Sequence, residues 1–157
     1  MQVFLIRHAE AVAETYTLSD DHRPLTVHGR RQARALGDRL RWHDCVPTHI
    51  FASPLVRTLQ TAELVTAGLE TELPVDILPT LGPDEPAREA LSSLQAFPAS
   101  AVVLLFGHGP GLTDLAVLLT RQRDLRTIAK AEALRIEDGA LRWRFACDAD
   151  APEILSR

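Results

Sequence analysis

Two arginines and two histidines of this chain have types and positions that could do chemistry together. Arg7 and His8 come directly after the apolar segment "VFLI". Arg57 follows "HIFA", and His108 follows "AVVLLF". A guanidinium pairs bidentately with phosphoryl oxygens and keeps its charge, and a neutral imidazole can act as a nucleophile. These residues predict a pocket for a doubly charged anion, phosphate above all.

The elements that must position these residues are short strands that alternate with longer amphipathic helices. Strands are predicted at residues 2–6, 48–52, 73–78 and 101–106, with a hairpin over 133–145. Helices are predicted at residues 26–42, 53–67, 86–96 and 112–120. This alternation favours an α/β fold, a three-layer α/β/α sandwich with a mainly parallel sheet. The longest apolar strand, 101–106, is expected at its centre and 73–78 near its edge.

The ends of these strands are where the four candidate residues should meet. Ligands of open α/β sheets bind beyond the carboxyl ends of the strands. The helix that starts with Ser53 as N-cap and Pro54, and the one that starts near Gly111, should direct unpaired N–H groups at the same place. Gly109 and Gly111 are expected to allow a close approach to the ligand or an unusual turn. Ser53 and Gly109 are therefore predicted to bind substrate.

A metal site is the main competing interpretation of His8 and His108. Zinc sites usually have three protein ligands, often two of them close in sequence. The chain contains no H-x-H, H-x-x-x-H or closely spaced cysteine pair. The neighbouring arginines would also repel a cation. We therefore expect no metal and no organic cofactor.

Composition limits the class of protein. The chain has 157 residues, 46% hydrophobic and 24% charged, which suits one domain over 1–157. A net charge of -4 provides no basic field for nucleic acid or an anionic membrane. The first apolar stretch is too short for a signal peptide or a membrane span, and Cys45 and Cys147 fit no paired spacing. These features favour a cytoplasmic enzyme or binding protein and leave its oligomeric state open.

Five motifs occur in order along the chain: "LIRHAEA" (5–11), "RPLTVHGRRQA" (23–33), "FASPLVRTLQTAELV" (51–65), "FGHGPGL" (106–112) and, as the weakest match, "KAEALRIE" (130–137). Together they resemble the histidine phosphatase superfamily, which has the phosphoglycerate-mutase-like fold, and its short SixA-like branch in particular. The resemblance implies that His8 is the nucleophile. It also implies that Arg7, Arg57 and His108 complete the phosphate pocket.

Two further positions bear on that resemblance. Arg23, within "RPLT", has two open interpretations: a further contact to the phosphate, or a loop arginine that pairs with Asp20 or Asp21. Ala9 stands where the family most often has glycine. Short members of the family tolerate alanine there, so this difference leaves the assignment in place.

The proton donor is the other difference from the longer members of the family, which carry a glutamate for this purpose in an insert. Asp84 and Glu85, in the loop 79–86, are the positional candidates, and Glu10 is another acid close to His8 in sequence. Loss of the acid costs about 10²–10⁴ in rate when the leaving group is an alkoxide. Phosphohistidine expels a better leaving group and depends less on an acid.

The sequence therefore favours a phosphatase that acts on protein phosphohistidine through a phosphohistidine intermediate on His8. One alternative is a small-molecule phosphomonoesterase, acting on a phosphorylated metabolite with an acid from the loop 79–86. A non-catalytic phospho-recognition module is a further alternative, although such a module has no need of a nucleophile.

Overall fold

The predicted apolar segments form one seven-stranded sheet. The computed structural model describes residues 1–155, and its strands are Gln2–Arg7 (β1), His49–Ala52 (β2), Asp76–Ile77 (β3), Val102–Gly107 (β4), Glu132–Glu137 (β5), Ala140–Ala146 (β6) and Glu153–Ile154 (β7). Their order in the sheet is β3-β2-β4-β1-β5-β6-β7. The neighbours from β3 to β1 pair in parallel, and the pairs from β1 to β7 are antiparallel. Strand β4 lies inside the parallel part and β3 at its edge, as predicted.

Four helices cover the two faces of this sheet. They are Val27–Trp42 (α1), Val56–Leu69 (α2), Ala87–Leu94 (α3) and Gly109–Thr120 (α4). Successive side chains of a strand point to opposite faces, so Phe4 and Ile6 of β1 pack in the core with α1 and α2. Val3 and Leu5 pack in the second core with α3 and α4. These layers confirm the three-layer α/β/α class.

Two predicted helix starts are displaced. Helix α2 begins at Val56 with Leu55 as its N-cap, rather than at Ser53 and Pro54. The Ser53 hydroxyl is 2.8 Å from a ring nitrogen of His108 and accepts from Leu55 N at 3.4 Å, so it joins the turn before α2 to His108. Helix α4 begins at Gly109, three residues before the predicted start at 112, with His108 as its N-cap.

The C-terminal segment is docked onto the sheet as far as the structure describes it. Leu155 donates its N–H to the carbonyl of Arg142 at 3.0 Å, and Arg39 Nε donates to the Ala149 carbonyl at 2.6 Å. Residues 156–157 lie outside the described part of the chain. Within residues 1–155, no helix has both the length and the apolar character needed to cross a bilayer.

Candidate active site

Backbone hydrogen bonds bring the ends of β1 and β4 together at the site. Arg7 is the last residue of β1, and His8 donates its backbone N–H to the Gly107 carbonyl at 3.1 Å. On the other side, Ala131 N lies 3.2 Å from the carbonyl oxygens of both Arg7 and His8. The ring centroids of His8 and His108 are 5.4 Å apart. The strand ends therefore meet where the sequence placed the site.

The His8 ring is held in one orientation. Its Nδ1 lies 2.7 Å from the Ala9 carbonyl oxygen, and a carbonyl can only accept, so Nδ1 carries the proton and Nε2 keeps its lone pair. Burial is the main cause that lowers the pKa of His8 to about 4, and the positive charges of Arg57, Arg7 and Lys130 lower it further. Burial lowers the pKa of His8 more than the neighbouring charges do. His8 is neutral at physiological pH.

Arg57 reaches the site from the first turn of α2 and is 4% exposed. Its Nη1 donates to the Asp20 carbonyl at 2.8 Å, and its Nη2 donates to Asp20 Oδ2 at 3.2 Å. The same Nη2 lies 3.5 Å from His108 Nδ1. Its Nε is buried and has no hydrogen-bond partner among the described residues. A buried donor without a partner is costly, so Arg57 keeps capacity for an anionic ligand.

Asp20 links two arginines of the site, and sequence reasoning missed its contact with Arg57. Asp20 Oδ1 accepts from Arg23 Nε at 2.9 Å and from Arg23 Nη2 at 2.7 Å. Of the two open interpretations of Arg23, the structure contains its pairing with Asp20. The i, i+3 spacing of these two residues was the signal available in the sequence.

The charge state of Asp20 follows from these bonds. The hydrogen bond from Arg23 is the main cause that lowers its pKa, and Arg57 lowers it further, while burial acts in the opposite direction. Asp20 is therefore ionised at neutral pH and accepts hydrogen bonds from both arginines. An ionised carboxylate has no proton to give to a leaving group, so Asp20 is an anchor for the two guanidinium groups.

His108, at the N-cap of α4, is 5% exposed. Its Nε2 lies 2.8 Å from Ser53 Oγ and 3.4 Å from Thr58 Oγ1. Since the nearby guanidinium of Arg57 can only donate, Nδ1 accepts and Nε2 carries the proton. Burial is the main cause that lowers the pKa of His108 to about 3, followed by the charges of His8 and Arg57. Ser53, expected to bind substrate, contacts His108.

Gly109 is required by a side chain and not by an unusual turn. A Cβ atom at this position would lie 2.8 Å from Arg7 Cζ, so the guanidinium of Arg7 rests against the bare backbone. Arg7 Nη1 also donates to the Ile128 carbonyl at 2.9 Å. Neither Gly109 nor Gly111 has a positive φ, and a Cβ at Gly111 would meet nothing within 4 Å. The unusual turn expected at Gly109 and Gly111 is therefore absent.

The three candidate acids have different surroundings. Glu10 Oε1 accepts from Thr26 Oγ1 at 2.8 Å, which directs this carboxylate to the start of α1. Asp84 and Glu85 are both exposed, in the loop that follows the 3-10 turn Pro79–Leu81. Glu85 lines a small cavity together with His108, which makes Glu85 the loop acid whose position the structure links to the site.

Among residues 1–155, no group of three or more His, Cys, Asp or Glu side chains is arranged to hold a metal ion. Arg7, His8, Arg57 and His108 instead form a cationic set with one carboxylate anchor at its edge, and all of them but the half-buried Arg7 are buried. This arrangement can bind an oxyanion and present a neutral imidazole nitrogen to it.

Known proteins resemble this chain in sequence and in structure. The family model of the histidine phosphatase superfamily (branch 1) matches residues 3–82. Phosphohistidine phosphatase SixA from Escherichia coli (strain K12) is 32% identical over 112 residues, which are 70% of this chain and 68% of that protein. Probable phosphoglycerate mutase GpmB from Klebsiella pneumoniae (strain 342) is 43% identical over 67 residues, which are 41% of this chain and 30% of that longer protein.

Structural similarity extends over more of the chain. The protein histidine phosphatase SixA complexed with tungstate superimposes with a TM-score of 0.85 and 25% sequence identity, over 94% of this chain and 97% of that one. The matches confirm the predicted phosphoglycerate-mutase-like fold and the phosphatase class of enzyme. The chain belongs to the histidine phosphatase superfamily, in its branch 1.

Proposed function

We propose that this chain is a phosphatase that removes the phosphoryl group from protein phosphohistidine through a covalent intermediate on His8. The observation that carries the proposal is the state of His8. Its Nδ1 is engaged by the Ala9 carbonyl, and burial with nearby positive charge lowers its pKa to about 4. An unprotonated Nε2 beside Arg57 and Arg7 is a nucleophile in a phosphate-binding environment.

The first step is an in-line attack. The Nε2 lone pair of His8 forms a bond to phosphorus while the bond from phosphorus to the substrate nitrogen breaks. The leaving imidazole takes that electron pair and a proton from water. Arg7 and Arg57 stabilise the charge on the phosphoryl oxygens, so positioning and electrostatics supply most of the catalysis. The Ala9 carbonyl stabilises the positive charge that develops on the His8 ring.

The second step regenerates the enzyme. Water attacks phosphorus of the phosphohistidine, the bond to His8 Nε2 breaks, and inorganic phosphate leaves. His108 is neutral in the free protein because its pKa is about 3. A bound phosphate dianion favours the protonated form of a nearby histidine, so the dianion raises the pKa of His108, and the protonated Nδ1 can then donate to a phosphoryl oxygen.

Phosphohistidine as the substrate is supported by the leaving group and by similarity. The acids of the loop 79–86 are exposed, and no described contact fixes either of them against the phosphate pocket. An imidazole leaves without a dedicated acid, whereas an alkoxide does not. The 32% identical relative is named a phosphohistidine phosphatase. The reaction needs no metal or organic cofactor, and we propose a cytoplasmic location with a phosphorylated protein as the partner.

A small-molecule phosphomonoesterase is the second candidate function, because Glu85 lines a cavity together with His108. A movement of this side chain toward the phosphate would supply the missing acid. Comparison of a phosphohistidine peptide with an unactivated sugar phosphate separates the two functions. Comparable turnover of both substrates would contradict the preference for phosphohistidine.

Labelling with an alkaline quench tests the nucleophile. With a labelled phosphohistidine substrate, the wild type should form a base-stable, acid-labile phosphoenzyme. His8→Ala should form none and should lose about 10⁴-fold or more in kcat, as removal of a nucleophile does elsewhere. His28→Ala, at an exposed position of α1, is the matched control and should keep full activity. Unchanged turnover in His8→Ala would overturn the mechanism and leave the phospho-recognition alternative without support as well.

A further inference from the structure

Tyr16 is presented to solvent at the tip of an ordered turn. Its relative exposure is 107%, the highest among the exposed large hydrophobic side chains of residues 1–155. Thr15 and Leu18 form an isolated antiparallel bridge, with N–H to carbonyl distances of 3.1 and 3.3 Å. Leu18 N also lies 3.1 Å from Thr15 Oγ1. These three bonds hold the turn that carries Tyr16, so its exposure is a feature of a folded segment.

The segment that carries Tyr16 is closed at its base. Ala11 and Leu25 form an antiparallel bridge, and Val12 N donates to the Pro24 carbonyl at 2.9 Å. Arg23 Nη1 donates to the Val12 carbonyl at 3.1 Å. Residues 11–25 are therefore a loop whose two ends are held together by hydrogen bonds, and this loop begins three residues after His8.

The same segment is joined to the phosphate pocket. Asp20 contacts Arg57 through its backbone carbonyl at 2.8 Å and its carboxylate at 3.2 Å. Its side chain is 41% exposed, whereas that of Arg57 is 4% exposed, so Asp20 lies at the rim between pocket and solvent. Tyr16 precedes Asp20 by four residues, which places the two Cα atoms within about 14 Å of each other.

A protein substrate covers more than the pocket. A standard interface buries about 800 Å² on each partner, a disc of about 16 Å radius. Such a disc centred on the pocket rim at Asp20 includes Tyr16. Tyrosine supplies a large amphipathic contact area at a low cost in side-chain entropy, and it is enriched among residues that dominate binding energy.

We propose that Tyr16 and the turn Thr15–Leu18 form a docking contact for the folded protein that carries the phosphohistidine, outside the phosphate pocket. This inference rests on the proposed function. The partner surface next to its phosphohistidine is expected to be apolar, since it packs against the tyrosine ring. Free phosphohistidine occupies the pocket alone and does not reach Tyr16.

Steady-state kinetics with two substrates test this contact. The first is free phosphohistidine. For the second, a set of folded proteins is phosphorylated on surface histidines by phosphoramidate. The protein for which the wild-type enzyme has the highest kcat/KM is then used. Tyr16→Ala should raise KM for the protein about tenfold and leave its kcat within about twofold, as expected for loss of a binding contact. Both parameters for free phosphohistidine should stay unchanged.

Two further variants keep the result specific. Tyr16→Phe retains the ring, so its KM for the protein should lie close to the wild-type value. Trp42→Ala removes another exposed aromatic, 78% exposed at the C-terminal end of α1, and should change neither substrate. Its helix is 16 residues long, about 24 Å at 1.5 Å per residue, so Trp42 lies far from the start of α1.

The outcomes separate the docking contact from the function. An unchanged KM of Tyr16→Ala for the protein, or a wild type that prefers free phosphohistidine, would overturn the docking contact while the phosphatase function stands. Equal losses for both substrates would also overturn it, since Tyr16 would then act on the pocket. Failure of the wild type to dephosphorylate either substrate would remove the proposed function itself.

Discussion

The phosphate pocket and the loop 79–86 both attract functional interpretation, yet the fold treats them differently. His8, Arg57 and His108 are between 4% and 6% exposed, and each has hydrogen bonds that fix its orientation. Asp84 and Glu85 are exposed in the loop. The proposed nucleophile and the proposed phosphate-binding groups are therefore held before substrate arrives, while the candidate acids are not.

The fold therefore preorganises the groups proposed for phosphate binding and attack, and not those proposed for protonation of the leaving group. Preorganised donors act without a reorganisation cost at the moment of reaction, and buried histidines keep their neutral, nucleophilic form. Leaving-group protonation has no comparable support. The pocket is thus suited to substrates whose leaving group needs little help, and variants on the two sides should have unequal effects.

The largest expected effect is that of Arg57→Ala. It removes a buried guanidinium from the pocket and should lower kcat/KM for phosphohistidine by about 10²–10³-fold, in the range known for loss of a preorganised charge-stabilising donor. Arg57→Lys should recover only part of the loss, because an ammonium lacks the planar fork. Steady-state kinetics measure both. A loss below tenfold in the alanine variant would show that the pocket is less organised than its hydrogen bonds indicate.

A smaller effect is expected of Gly109→Ala. The new Cβ would lie 2.8 Å from Arg7 Cζ and must displace that guanidinium, so kcat/KM should fall about tenfold, since small misplacements of positioning groups are costly. Gly111→Ala is the matched control, because nothing lies within 4 Å of its Cβ. Equal activity of the two variants would contradict the contact between Gly109 and Arg7.

Glu85→Gln and Asp84→Asn test the candidate acids of the loop 79–86. Each should leave kcat for phosphohistidine within about twofold, because an imidazole leaves without a dedicated acid. A sugar phosphate serves as the contrasting substrate. If Glu85→Gln lowers turnover of phosphohistidine by a hundredfold, Glu85 is a general acid after all and the two regions act together.

The smallest effect concerns mild acid. Only neutral His8 attacks phosphorus, and its pKa of about 4 means that about nine-tenths remains neutral at pH 5, by the ordinary titration relation. A histidine near 6.5 would be almost fully protonated there. Titration of the His8 ring by NMR in the free protein measures this directly, and a midpoint near 6.5 would refute the effect of burial.

The same lowered pKa values affect stability. The unfolded chain has histidines of ordinary pKa, so it binds protons first as the pH falls below about 6.5. His8 and His108, with pKa values of about 4 and about 3, stay neutral in the folded state. The free energy of unfolding should therefore decrease as the pH falls from about 6.5 to the folded pKa values of about 4 and about 3. Urea denaturation at several pH values can measure this decrease.

Local patterns predicted much of the fold because they reflect local physics. The hairpin turn at Asp138 and Gly139 has φ values of 51 and 76°, as the "DG" pair indicates for a two-residue turn. The start of α1 at Thr26 was recognisable because its hydroxyl accepts from Gly29 N at 2.9 Å. The start of α2 was misplaced because Ser53 has the local features of a cap, while its hydroxyl binds a residue 55 positions away.

The order of residues along the chain shows which side chains follow each strand. From that order alone, two arginines and two histidines are predicted to share one end of the sheet. The hydrogen bonds that hold these side chains in place depend on the tertiary structure. The bond between Ser53 and His108 spans 55 residues, and the bonds between Asp20 and Arg57 span 37. Periodicity and capping act over a few residues, whereas burial and long-range hydrogen bonds arise only when the layers pack. For this reason the meeting of these four residues was predictable, whereas the burial that lowers the pKa of His8 and the bonds from Asp20 to Arg57 were not.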